Sequence, residues 1–226
     1  MKSIIPNALT ALNLVLGMFA IVSTLHGRFS NAAIFIVAAM IADGFDGRVA
    51  RLFNVSSDFG RELDSLCDLV SFGVAPAVLA YTFLLHEMGY AGYFVAALFA
   101  TCGALRLARF NINTGIVKGY FMGLPIPAAG CVVATFVLLG IKPATWLFAV
   151  MVILFAYLMV STIKYPDFKG KGERVRILPA AITVAFALYL IFLTQGVTAL
   201  LFIPFCSYAV FGILNTLFGL FDSRTI

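Results

Sequence analysis

Runs of apolar residues broken by short polar or Gly/Pro-containing stretches set the pattern of this chain. The runs cover residues 5–25, 31–50, 63–85, 90–110, 123–141, 143–163, 178–195 and 198–219. Several approach the roughly 20 residues a helix needs to cross about 30 Å of hydrocarbon, while the fifth and seventh are short. In lipid such a run must satisfy its own backbone hydrogen bonds, so the spanning form is a helix. The pattern predicts an all-α integral membrane protein of about eight transmembrane helices. No polar stretch is long enough for a soluble domain, so residues 1–226 read as a single membrane-embedded domain. The first run is followed by "LHGRFSN", which lacks a small-residue cleavage pattern, and is expected to be a retained helix.

Composition strengthens this reading. Hydrophobic residues make up 62% of the chain and charged ones 11%, whereas a soluble domain carries roughly a quarter charged residues. Charge then orients the helices. With eight spans, 13 of the 15 basic residues fall on one side, and only Arg28 and Lys142 fall on the other. The positive-inside rule places that side, with both termini, in the cytoplasm of a cell-membrane protein. The net charge of +5 mostly expresses this bias and gives no support for a nucleic-acid partner. The loop "KYPDFKGKGERVR" has two readings, a topology determinant or a contact for anionic lipid headgroups.

Candidate chemistry lies in one window. Six of the ten acidic residues fall within "ADGFDGRVARLFNVSSDFGRELDSLCDLVSFG", residues 42–73. Asp43 and Asp46, three apart near the cytoplasmic end of the second helix, lie within about 60° of one another. Asp64 and Asp68, four apart at the start of the third, are about 40° apart, and a short turn lets both pairs face one space. Four facing carboxylates would take up protons unless cations neutralise them. All-oxygen ligation suits Mg²⁺ or Mn²⁺, with Ca²⁺ as a further option. Two ions shared by four carboxylates is an arrangement that displaces groups at phosphorus. Zinc is disfavoured, because no His or Cys converges here and His26 and His86 fall on the outer side.

Several neighbours have paired readings. Gly47 and Gly60 suggest close approach of a nucleotide or diphosphate to the backbone, or else helix packing. Gly44 and Gly73 read as packing or turn positions. Arg51, one turn beyond Gly47, shares the aspartates' face and suits a metal–diphosphate site, or serves topology alone. Asn7, Thr10 and Asn13 recur every third residue on the first helix, as pocket lining or as interhelical hydrogen bonds. Cys67, Cys102, Cys131 and Cys206 show no paired spacing and read as small buried apolar residues. A divalent cation transporter is the rival class, disfavoured because the acids cluster at one membrane face and the other helices carry almost no acidic residues to continue a path.

From Asp46 the chain reads "DGRVAR", eight residues, then "GRELDSLCD". This resembles, position by position, the signature of the CDP-alcohol phosphotransferases, DG-x2-AR-x8-G-x3-D-x3-D, with Asp43 similar to the family's first aspartate. "IPNALTALNLVLG", "LVSFGVAPA", "GALRLARFN" and "GLPIPAAG" resemble the phosphatidylserine synthase branch, so the likeness covers roughly residues 4–130.

The resemblance implies a six-helix core and transfer of the phosphatidyl group from CDP-diacylglycerol to the hydroxyl of L-serine, giving phosphatidylserine and CMP. It implies that Asp43, Asp46 and Asp64 hold metal, and that Asp68 completes a second metal site and acts as general base. Gly47, Ala50, Arg51 and Gly60 would border the nucleotide, and Asn7, Thr10 and Asn13 would line the diphosphate pocket. A homodimer within membrane lipid is also implied. Arg106 and Arg109 are the candidates for the serine carboxylate, Arg109 slightly ahead, because a guanidinium pairs with a carboxylate in bidentate fashion. The other reading of both is positive-inside anchoring. Asn111 and Lys118 are weaker candidates. Within the family, glycerol phosphate or inositol phosphate is the alternative acceptor.

Overall fold

The computed structural model describes residues 4–52, 57–113, 120–166 and 199–222, with four further residues between 182 and 189. Most of the predicted seventh run and most of the basic loop lie outside the described residues. Helix α1 (Ile4–Leu25) turns at residues 26–28 into α2 (Phe29–Leu52). Helix α3 (Asp58–Phe83) is continuous, and a tight turn at Leu85–Met88 leads to α4 (Tyr90–Asn113). Then follow strand β1 (Tyr120–Met122), α5 (Ile126–Leu138), α6 (Thr145–Val160), strand β2 (Lys164–Pro166) and α7 (Ala199–Asp222).

The spans at Asn7–Leu25, Phe29–Asp46, Asp58–Phe83 and Tyr90–Ile112 are long and apolar enough to cross a membrane. The apolar segments Ile126–Leu138, Thr145–Val160 and Leu200–Thr216 are shorter. Helix α5 starts three residues later than the apolar run, because Gly123 takes a positive φ of 78° and Pro125 caps the helix with extended backbone. Gly140, at φ 70°, ends the following turn. In the other direction, α3 starts five residues before its apolar run. Its first turn is polar, and Ser57 caps it by accepting a 3.0 Å hydrogen bond from the Gly60 N–H.

Helices α1 and α2 pack along their length, and the deeply buried α5 contacts α2, α3 and α7. Small residues allow this. Ala128, Ala129, Gly130, Cys131 and Ala134 are all buried on α5, as expected where close packing rather than exclusion of water holds helices together. Thr24, Thr82, Thr101 and Thr135 donate to carbonyls on the preceding turn of their own helices, so their hydroxyls are satisfied without water. The four cysteines are free, three of them buried. Tyr90, Tyr93 and Trp146 are exposed near the turn that ends α3 and the start of α6, where an aromatic belt marks a membrane interface.

Helix α3 is not regular throughout. Residues Leu69–Val74 form a wider π-helical turn, in which the Ala75 N–H donates to the Val70 carbonyl five residues back. Beside it, a Cβ on Gly130 would stand 2.6 Å from the Phe72 carbonyl oxygen and 2.9 Å from its Cα. Both are backbone atoms, so they cannot swing aside. Gly130→Ala is therefore expected to destabilise the protein by about 1–3 kcal/mol. Gly44→Ala should cost little, since no neighbour among the described residues lies within 4 Å of that position. Thermal unfolding of both variants in detergent checks this. Open space at Gly44 also corrects the expectation of packing or turn geometry there, because it is an ordinary exposed position of α2. Gly73 does pack, its Cβ position lying 3.0 Å from Leu69 and 3.5 Å from Ile126.

The two short strands pair antiparallel with Phe121 opposite Tyr165. The sequence pattern predicted no strands, and three residues each leave the fold class unchanged. Tyr165 is fully buried, its ring 5.4 Å from that of Tyr208 and its hydroxyl donating 3.4 Å to the Ala209 carbonyl. Gly212 makes room for that ring. Through Tyr165, the strand pair is seated under α7.

Candidate active site

Asp43 projects from α2, and Asp64 and Asp68 from successive turns of α3. One carboxylate oxygen from each lies within 4.8 Å of the others. Asp68 is buried at 7% exposure, and Asp43 and Asp64 are partly buried. Three acceptor-only groups this close repel one another strongly in a medium of low dielectric. The donor set is all oxygen, as hard divalent cations require, and it gathers at one point, so the residues fit such an ion.

Helix α1 supplies hydrogen bonds to the carboxylates on both sides. Thr10 Oγ1 donates 2.8 Å to Asp46 Oδ2, and Asn13 Nδ2 donates 3.0 Å to Asp68 Oδ1. Asp46, Thr10 and Asn13 are all buried. Interhelical hydrogen bonding, one of two readings of the Asn7–Thr10–Asn13 stripe, is thus present at Thr10 and Asn13. Asp46 is not one of the close trio, and one of its oxygens is tied to α1 by Thr10. Asn7 is half-buried, with its Oδ1 3.4 Å from where a Gly60 Cβ would stand, and Ser57 Oγ is 3.1 Å from the same point. The local reason for glycine at 60 is therefore its own cap and Asn7.

Gly47, Ala50 and Arg51 belong to the last turns of α2, while their surroundings lie outside the described residues, as does Lys118.

The structure separates the two arginines of α4. Arg106 is 6% exposed, with Asp68, Asp43 and Tyr208 as its charged and polar neighbours and its guanidinium 5.1 Å from the centre of the Phe110 ring. Its Nε has no hydrogen-bond partner among the described residues. Arg109, set slightly ahead from sequence, turns the other way. It donates to the Val160 carbonyl at 2.7 Å and the Ser161 carbonyl at 3.2 Å, closing the C-terminus of α6. One turn of helix separates a cation beside the carboxylates from one committed to backbone. Asn111 joins Ser65 at 3.0 Å, linking α4 to α3 beyond the acidic trio.

Sequence reasoning did not single out Ser71, which donates 2.9 Å to the Asn13 carbonyl and is fully buried. The available signal was a small hydroxyl inside an apolar run, three residues after Asp68. Tyr208 was also missed, since α7 carries no motif.

Comparison with known proteins places the geometry in context. A sequence model described as CDP-alcohol phosphatidyltransferase matches residues 3–163, the stretch holding α1 to α6. The CDP-diacylglycerol–serine O-phosphatidyltransferase of Helicobacter pylori is 41% identical over 220 residues, covering 94% of this chain and 91% of that one. The Bacillus subtilis protein of the same name is 43% identical over 165 residues, which cover 73% of this chain and 91% of the relative. An archaetidylserine synthase of Methanothermobacter thermautotrophicus is 38% identical over 170 residues, 74% of this chain and 72% of that protein.

Proposed function

This chain belongs to the CDP-alcohol phosphatidyltransferase family, and we propose that it transfers the phosphatidyl group of CDP-diacylglycerol to the hydroxyl of L-serine, giving phosphatidylserine and CMP. The observation that carries this reading is the convergence, within 4.8 Å, of Asp64 and Asp68 of the family signature with Asp43, three residues before its start.

Asp43, Asp46, Asp64 and Asp68 would hold two divalent ions, Mg²⁺ or Mn²⁺, with Ca²⁺ as an option. When bound, such ions supply charge compensation to the diphosphate and to departing CMP. The protein's own residues do the rest. Asp68 takes the proton from the serine hydroxyl, whose oxygen forms a bond to the phosphorus nearest the diacylglycerol. The bond from that phosphorus to the bridging oxygen breaks, and CMP leaves with the electron pair. Serine is a weak nucleophile at neutral pH, so holding its hydroxyl at about 3 Å from Asp68 carries much of the catalysis. Burial keeps water, the competing acceptor, away from the reacting phosphorus.

Gly47, Ala50, Arg51 and Gly60 border the nucleotide, with Asn7 and Thr10 beside the diphosphate. Arg106 meets the serine carboxylate. Arg109 acts behind it, by fixing the end of α6 against α4. The remaining parts of this reading are a single domain of about eight spans in the cell membrane and a homodimer. Both termini and the site lie at the cytoplasmic face, consistent with the bias of basic residues.

Purified protein in detergent with CDP-diacylglycerol and Mn²⁺ is expected to release CMP when serine is supplied, and not with glycerol 3-phosphate, inositol phosphate or choline. EDTA should abolish release, and excess Mn²⁺ should restore it. Release with another acceptor would overturn serine as substrate while keeping the family chemistry. No release with any acceptor, together with cation flux in liposomes, would replace the reading by transport.

A further inference from the structure

Asn13 is fully buried, and its amide is satisfied at one end only. Nδ2 donates 3.0 Å to Asp68 Oδ1, whereas Oδ1 of the same amide is buried with no hydrogen-bond partner among the described residues. Buried polar groups are normally paired at every atom, because an unpaired one forfeits its hydration without return. Reversing the amide would set its oxygen against the carboxylate, which offers no proton at that atom when ionised. The orientation is therefore dictated by Asp68, at the expense of Asn13's own acceptor.

The backbone beneath this amide is also fixed. The Asn13 carbonyl accepts a 2.9 Å hydrogen bond from Ser71, on the wide turn of α3 directly after Asp68. One turn on along α1, Gly17 has no Cβ, and a Cβ there would collide with Ser71. Helix α1 is thus held against α3 by two contacts at Ser71, three residues after Asp68.

We propose that Asn13 is a positioning residue for Asp68: it pins carboxylate Oδ1 to α1 and leaves Oδ2 turned to the hydroxyl that gives up its proton. This rests on the serine-transfer reading above and adds a residue outside the signature. The effect belongs to turnover. The Asn13 amide is committed to Asp68, so binding of either substrate should depend on it little.

Asn13→Leu tests this, since leucine keeps the branched shape, removes the donor and also removes the unpaired oxygen. The kcat for phosphatidylserine formation is expected to fall about 100-fold, as for a misaligned reacting group. KM for serine and for CDP-diacylglycerol, and Mn²⁺ binding by calorimetry to protein holding CDP-diacylglycerol without serine, should stay within about threefold. The unfolding temperature should stay close to wild type. Asn13→Ser, whose hydroxyl can hold a bridging water, should recover part of the kcat. A kcat within threefold of wild type in Asn13→Leu would overturn the proposal. So would a loss of kcat matched by loss of Mn²⁺ affinity or of thermal stability, which would make Asn13 part of the metal site or of the packing. If the leucine protein does not fold, Asn13→Ser is judged on the same measurements. Wild-type protein inactive with serine would instead remove the functional reading on which the proposal stands.

Discussion

Asp68→Asn protein should release CMP about 1000-fold more slowly than wild type at saturating CDP-diacylglycerol and serine, the loss expected on removing the proposed general base. The expectation follows from what the substitution keeps. Asparagine has the shape of aspartate, and its side-chain oxygen can still accept the 3.0 Å hydrogen bond from Asn13. It lessens the repulsion with Asp43 and Asp64, so the fold should hold or gain in stability. What it loses is the ability to take a proton and one charge toward a divalent ion. Stability and rate should therefore part company, the unfolding temperature steady or higher while turnover collapses. Turnover within tenfold of wild type would assign proton transfer to another group.

The second large effect separates two residues that the sequence treats almost alike. Arg106→Met should raise the KM for serine about 100-fold, the scale expected on removing one member of a buried, hydrogen-bonded charge pair. Arg109→Met should leave that KM nearly unchanged and lower the unfolding temperature. Arg106 is buried beside Asp68 with an Nε that has no partner among the described residues, while Arg109 is spent on the carbonyls of Val160 and Ser161. Methionine keeps much of the apolar stem in each case, so loss of packing is small. Initial rates with serine varied at fixed CDP-diacylglycerol decide the matter. A larger rise in KM for Arg109→Met would move the acceptor contact to that residue.

The arginines also show where sequence reading stopped. Three residues on a helix differ in direction by only about 60°, yet that angle decides whether a guanidinium meets carboxylates or carbonyls. The deciding partner, the end of α6, lies about fifty residues away in sequence and carries no side-chain motif. The carboxylates were legible for the opposite reason. The spacing of Asp64 and Asp68 places them together on one helix wherever that helix goes, and an acidic cluster between apolar runs has few other uses. Among the described residues, helix positions followed from hydropathy, but the start of α3 did not. Asp58, Arg61 and Glu62 make its first turns polar, and the signal was Ser57 in a cap rather than any apolar residue. The role of α1 was half legible. Its polar stripe stood out, but whether Thr10 and Asn13 meet a ligand or other helices depends on how α1 crosses α2 and α3, which spacing alone does not determine.

The wide turn at Leu69–Val74 makes α3 a screw thread cut in two sections. The upper section carries Asp64 and Asp68, and the wide turn carries Ser71, Phe72 and Gly73 to their places against α1 and α5. Removing one residue there would let an ordinary helix form, but would rotate one section against the other by about 100°. Either the acids or the seating surface would then face the wrong way. Substitutions within this stretch can be judged one by one, by size and polarity. A change in its length cannot be, and diverging copies of this chain should gain and lose residues at the turns before α2 and α6 long before they do so here.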